Sequence, residues 1–233
     1  MATRTAGFLV LFVGACASGC VPLSQPLQFA ETAEVLKKSA VKITAAGGLA
    51  AWHERLANNQ GGQDFYWGGG VGARVRVGIG HAQEVGGEAS VLWGDVSSEP
   101  LKKKPYQLQW KFAWKWAPLS WLALVGGLGG GIPVDGMNSH MAVGTDAALI
   151  ASHRWGRVVP YVGARLGFTW IVAEPRPVGG LAAALGCSVD VAGPLSLLVE
   201  AGIPAYFSRN STGGTDTGWG YYGLVGAALR FGP

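Results

Sequence analysis

The sequence predicts an all-β chain: a closed antiparallel up-and-down transmembrane β-barrel of about ten strands, with eight as the alternative count. Three observations carry that expectation. The first is the stretch Tyr106-Gln-Leu-Gln-Trp-Lys-Phe-Ala-Trp-Lys-Trp116, where every second residue is large and apolar. Side chains of a strand alternate between faces, so Tyr106, Leu108, Trp110, Phe112, Trp114 and Trp116 share one face, and Gln107, Gln109, Lys111, Ala113 and Lys115 the other. The apolar face is too aromatic, and the wet face too charged, for an ordinary soluble sandwich. The second is composition. Charged residues are 14% of the 233, well under the usual quarter or so. Mean hydropathy is positive at +0.26, and 38 residues are Gly, yet helical periodicity is almost absent. The third is the alternation of long and short gaps between strand-like segments.

Taken in order, residues 1–20 read as a secretion signal. Arg4 supplies the positive start, and Phe8-Leu-Val-Leu-Phe-Val13 an apolar run too short to span a membrane permanently. Val13-Gly-Ala-Cys16 and Ala17-Ser-Gly-Cys20 both resemble a bacterial lipobox, which makes Cys16 and Cys20 lipidation candidates. Ordinary cleavage after Ala15-Cys-Ala17 is the other reading. Cys187, the third cysteine, falls inside a strand and reads as a small residue on the lipid face, so no disulfide framework is expected. Residues 21–39 read as a periplasmic leader. Ala30-Glu-Thr-Ala-Glu-Val-Leu-Lys-Lys38 has the length for two helical turns and is expected to be a solvated tether, with a lumen plug or a partner contact as the alternative.

The barrel domain is expected over 40–233. Its strands run roughly over 40–52, 64–77, 82–94, 106–116, 120–133, 141–153, 158–172, 178–191, 194–207 and 220–231. Each is near or above the roughly 9–11 residues that a tilted strand needs to cross a bilayer. Connections 53–63, 95–105, 134–140, 173–177 and 208–219 form the longer set, and 78–81, 117–119, 154–157 and 192–193 the tight one. Outer-membrane barrels have short periplasmic turns and longer external loops. The predicted location is therefore the bacterial outer membrane, with both termini periplasmic.

The alternation recurs round the sheet. Val71, Val75 and Val77 oppose Gly70, Arg74 and Arg76. Leu166, Phe168 and Trp170 oppose Arg165, Gly167 and Thr169. Leu197, Val199 and Ile203 oppose Ser196, Glu200 and Gly202. Aromatics fall near the expected membrane boundaries: Trp52, Trp67, Trp93, Tyr106, Trp170, Tyr206 and Tyr221 at the outer rim, and Trp114, Trp116, Trp121, Trp155 and Phe231 at the inner. Rings with one apolar and one wet edge favour that boundary. Trp110 joins this belt from the aromatic strand.

With those features in view, residues 40–233 resemble the small Gly-rich outer-membrane barrels, broadly of the OmpA/OmpW type. The likeness rests on pattern rather than on a unique motif. Such barrels commonly end on an aromatic residue, whereas here Phe231 is followed by Gly232-Pro233.

The inward charges form the one constellation of note. Lys42, Arg74, Arg76, Lys111, Lys115, Arg165 and Arg230 are set against Glu84, Glu88, Asp146, Asp190 and Glu200. An unpaired buried charge costs several kcal/mol, so these groups must pair or stay hydrated. Lys102-Lys-Lys104 reads as a solvated cluster, and no nucleic-acid stripe is present. No catalytic, metal or cofactor site is expected. His53, His81, His140 and His153 are placed in loops or turns without a metal-ligand spacing. Ser152-His153 cannot form a nucleophile–base pair, because neighbours in one strand face opposite ways.

Three roles are compatible with this pattern. One is a non-enzymatic anchor or scaffold in outer-membrane lipid, as part of a trans-envelope machine for secretion, polysaccharide export or motility, with periplasmic partners engaged through 21–39. The second is a narrow, slightly anion-preferring pore, resting on the surplus of inward cations. The third is a lipid-modifying barrel enzyme. The solute, the partner and the oligomeric state are not legible.

Overall fold

A computed structural model describes residues 31–55, 63–96, 106–133, 141–171, 177–209 and 215–232. The signal, Cys16 and Cys20, and the connections containing Lys102-Lys-Lys104 and His140 lie outside the described residues.

Ten strands form one closed barrel: β1 (Val41–Arg55), β2 (Gln63–Gly80), β3 (Gln83–Val96), β4 (Tyr106–Leu119), β5 (Leu122–Pro133), β6 (Ala142–Ser152), β7 (Val158–Ile171), β8 (Pro177–Ala192), β9 (Leu195–Arg209) and β10 (Thr215–Phe231). Each strand pairs antiparallel with its neighbour in sequence, and β1 closes on β10. The strands tilt steeply. A row of partners runs Thr44, Arg74, Glu88, Lys111, Gly129, Gly144, Thr169, Val178, Ser208 and Asp216. It returns to β1 beyond Arg55, at the far end of the strand where it began. Closure of a twisted sheet requires such a stagger.

The two ends of the barrel differ. One carries the tight turns and the outer limits of β1 and β10, and we call it the turn end. The β2–β3 turn is made by His81 and Ala82, both with positive φ (52° and 56°), the backbone hand that suits a two-residue hairpin loop.

Three expectations need correction. β10 begins at Thr215 rather than near 220, because Thr215–Trp219 continues the ladder against Ala205–Arg209. Thr-Asp-Thr-Gly has turn-like propensity, and the neighbouring strand overrides it. His53 accordingly lies in β1, opposite Trp219, with the two rings stacked 4.8 Å apart. Tyr206 does not join the outer aromatic rim. It shares parity with inward-facing Glu200, and its ring covers the inner face of Gly218.

Candidate functional site: a charged lumen closed by the N-terminal segment

The barrel interior is polar and filled. Arg74, Arg76, Lys111, Lys115, Glu84, Asp146, Arg165 and Glu200 are all buried there, alongside Gln109, Thr169, Tyr161 and Tyr222. Lys42 and Glu88 are half-buried on the same face, while Asp190 and Arg230 sit toward the turn-end rim.

The segment 31–40 does not behave as a solvated tether, nor is it helical. Residues 31–37 carry no helix, and Glu31, Thr32, Ala33 and Leu36 are buried among the lumen charges. The reason is electrostatic. The Glu31 carboxylate accepts from Arg74 Nη1 at 2.8 Å and Arg76 Nη2 at 3.0 Å, and Lys115 Nζ lies 3.3 Å from its other oxygen. Lys115 also donates to the carbonyls of Thr32 (2.8 Å) and Glu34 (2.5 Å). The extended backbone is stitched to the wall as well: Ala33 N–H donates to Ser152 Oγ (2.9 Å) and Leu36 N–H to Glu84 Oε1 (2.5 Å). A helix would turn those carbonyls and amides onto themselves. Ser39 N–H donates to the Gly78 carbonyl at 2.8 Å, and Gly78 N–H to the Ala40 carbonyl at 2.9 Å. Gly78 is required by this approach, since a Cβ there would meet the carbonyls of Lys37 and Leu36.

At the rim, Arg154 pairs with both oxygens of Glu34 and, at 2.7 Å, with Asp190. Ser196 Oγ donates to Asp190 at 2.7 Å, and Arg230 stands 4.0 Å from Glu34. Burial alone would raise the Glu34 carboxyl, but hydrogen bonds and charge from Arg154, with Arg230 behind it, hold it below the usual range. Its carboxylate partners in turn raise Arg154.

Two further clusters lie deeper. Asp146 takes Lys111 Nζ at 2.8 Å and also contacts Arg165. Lys111 reaches Asp146 across β5 because the intervening inward position is Gly127, whose absent side chain leaves room for both. Glu200 accepts Tyr161 OH and Tyr222 OH, each at 2.8 Å. The two phenol rings lie over Gly186 and Gly202. Arg74 also donates Nε and Nη2 to Glu88 at 2.8 and 2.7 Å, and Arg76 Nη1 donates to the Ala113 carbonyl at 3.2 Å. A cavity of about 10 Å³, room for roughly one water, remains beside Glu31, Lys42, Arg76, Glu84 and Lys115.

Ser152 faces the lumen, where its hydroxyl is engaged by Ala33, while His153 is exposed and set edge-on to Trp155. Among the described residues, no group of three His, Cys, Asp or Glu side chains is arranged to hold a metal ion. On the outside, Trp110, Trp121, Trp170 and Phe231 are exposed, and Trp93, Trp114 and Trp116 are half-buried. Trp93 lies flush over Gly69, Trp110 over Gly130, and Trp114 Nε1 donates to Gln83 at 3.1 Å. The side chains of Trp67, Trp52 and Tyr106 lie outside the described residues.

No protein-family model matches the chain, and no curated protein is similar to it in sequence. Solved structures are similar in shape. An outer membrane channel from Pseudomonas putida is 8% identical, aligned over 85% of this chain and 97% of that one, with a TM-score of 0.48. The outer membrane protease OmpT from Escherichia coli is 10% identical over 87% and 100%, with a TM-score of 0.45. The translocator domain of the autotransporter NalP from Neisseria meningitidis is 10% identical over 98% of each, with a TM-score of 0.44.

The deciding observation is this molecule's own inverted polarity. Leu185, Val225 and Leu49 are 69%, 67% and 65% exposed on the outside, while Lys115 and Glu200 are each 2% exposed within. The chain has the fold of an outer-membrane β-barrel. An apolar outer surface round a polar interior suits lipid outside and hydrogen-bonding groups inside.

Sequence reasoning on this barrel missed Glu31, Glu34 and Arg154, and did not pair Tyr161 and Tyr222 with Glu200. A signal for the first two was present. Seven inward cations faced five carboxylates, a surplus that calls for more acids, and Glu31 and Glu34 lie just ahead of β1; with Arg154 counted, eight cations face seven carboxylates.

Proposed function

We propose that this protein is a structural anchor in the outer membrane whose lumen is held shut, rather than an open pore. The observation that carries the reading is the seating of Glu31 between Arg74, Arg76 and Lys115. A narrow anion-preferring pore needs surplus positive charge facing open water. Here most of the surplus is met by carboxylates of the same chain, and the turn end of the lumen is occupied by its own backbone. In this reading the turn end faces the periplasm, because short turns belong there in barrels of this kind. Partners in a trans-envelope assembly for secretion, polysaccharide export or motility would then engage the barrel from that side.

The test is single-channel recording of the refolded barrel in a planar bilayer, with the reversal potential measured in a salt gradient. A folded but silent barrel is expected. Steady anion-selective openings of the unmodified protein would overturn the closed reading and restore the pore. A companion pull-down with residues 21–30 deleted is expected to lose envelope partners; unchanged recovery would remove that part.

A further inference from the structure

We propose that Arg74, Arg76 and Lys115 form a binding site for a small carboxylate in the lumen, that Glu31 occupies it in cis, and that a free carboxylate competes with Glu31 and so unseats the 31–39 segment. The inference rests on the lumen geometry and not on the anchor role.

The site is built, and its occupant is visible. One Glu31 oxygen takes Arg74 Nη1 and Arg76 Nη2 at 2.8 and 3.0 Å, and the other faces Lys115 Nζ at 3.3 Å. The two guanidinium groups are held from behind by groups that do not belong to the segment, whereas Lys115 donates to the segment's own Thr32 and Glu34 carbonyls. Arg74 is braced by Glu88 and Arg76 by the Ala113 carbonyl, while Glu84 stands 3.7 Å from Lys115. Such bracing keeps Arg74 and Arg76 in place when the occupant leaves, and pre-formed donors give a binding site at little ordering cost. Two guanidinium donors on one oxygen and an ammonium group 3.3 Å from the other suit a carboxylate.

The occupant is also exchangeable. The segment has neither helix nor strand over 31–37, and its buried apolar side chains over that stretch are Ala33 and Leu36, with Val35 half-buried. Most of its hold comes from buried ion pairs and hydrogen bonds. Buried ion pairs give little net stabilisation beyond the desolvation they cost, so a ligand with the same chemistry replaces them at small net change. Because Glu31 is tethered, its effective concentration at the cradle is millimolar or higher, and a free competitor must exceed that.

The test uses the missing piece itself. Glu31→Gly removes a side chain whose free equivalent is propionate. Calorimetric titration of the folded Glu31→Gly barrel with propionate is expected to give saturable binding, with a dissociation constant on the order of 1 mM. Propionamide, uncharged and of the same shape, is expected to give none, and the added change Arg76→Gln to weaken propionate at least about tenfold. No binding of propionate, or equal binding of propionamide, overturns the proposal. If the variant does not fold, the unmodified protein decides. Roughly 100 mM propionate should speed hydrogen exchange at the Ala33 and Leu36 amides by about tenfold over chloride of equal ionic strength. Unchanged exchange overturns it. Conductance enters neither readout, so a conducting barrel would sink the anchor reading and leave this site standing.

Discussion

Glu200 has a tyrosine hydroxyl on each carboxylate oxygen and almost no contact with solvent. A hydrogen bond to a charged group contributes about 1.5–3 kcal/mol, and a buried carboxylate that loses a donor also keeps its desolvation cost. Tyr161→Phe and Tyr222→Phe are each expected to lower stability by about that amount, measured as the shift in urea unfolding of the barrel in lipid. Glu34 differs because it is partly exposed at the rim, facing Arg154, Arg230 and Asp190. Its folded-state pKa lies below the ordinary value, so its contribution is complete above the usual carboxylate range. That contribution is lost as pH falls through the depressed value. Acidification should therefore lower the hydrogen-exchange protection of the Leu36 amide, and Glu34→Gln should be weakly protected at all pH with a flatter profile. An identical pH profile in the two proteins would show that Glu34 does not hold the segment.

At the scale of elements, glycine is placed where two backbones or a backbone and a ring meet. A Cβ at Gly129 would stand 2.5 Å from the Trp110 carbonyl and 3.2 Å from Lys111 Cα, both main-chain atoms that cannot swing aside. Gly223 faces outward, and a Cβ there would meet nothing nearer than the Glu200 carbonyl at 4.0 Å. Gly129→Ala is expected to weaken the β4–β5 pairing and cut refolding yield, while Gly223→Ala refolds as the unmodified chain does; heat-modifiable gel mobility separates folded from unfolded barrel. Gly78 extends the argument to the 31–40 segment. Gly78→Ala should expel that segment while the barrel stays closed, seen as rapid proteolysis ahead of β1 with intact β strands. If the segment stayed protected, its seating against Gly78 would not be what holds it.

At the scale of the whole molecule, the outward face is the lipid-facing surface and the depth of each position sets its tolerance. Leu185 lies on the outer face of β8 well away from the turn, and Val191 lies on the same face beside it. Arginine at the mid-membrane level of a barrel costs about 2–4 kcal/mol, falling to about 0–1 near the interface. Leu185→Arg should therefore destabilise the refolded protein in lipid vesicles far more than Val191→Arg. Equal costs would mean that this face does not cross the hydrocarbon.

The sequence by itself determined the barrel and nearly all of its face assignments, and it put the strand number at about ten, which the closed structure fixes at ten. The cause is local: a period of two is written into each strand, and bilayer thickness sets the strand length. Trp110, Phe112 and Leu108 read as outward and Lys111, Lys115 and Gln109 as inward without reference to any other strand. Tyr206 misled because an aromatic ring near a strand end suits the membrane boundary or the lumen equally well by type, and parity with Glu200 decides between them. The start of β10 misled because Thr215–Trp219 takes its conformation from Ala205–Arg209 rather than from its own residues. The seating of Glu31 was decided only by the tertiary structure. Its three cationic partners come from β2 and β4, more than forty residues away, and no local period records which carboxylate a closed lumen will draw in. Charge balance is a property of the enclosed volume, and that volume exists only once β1 has closed on β10.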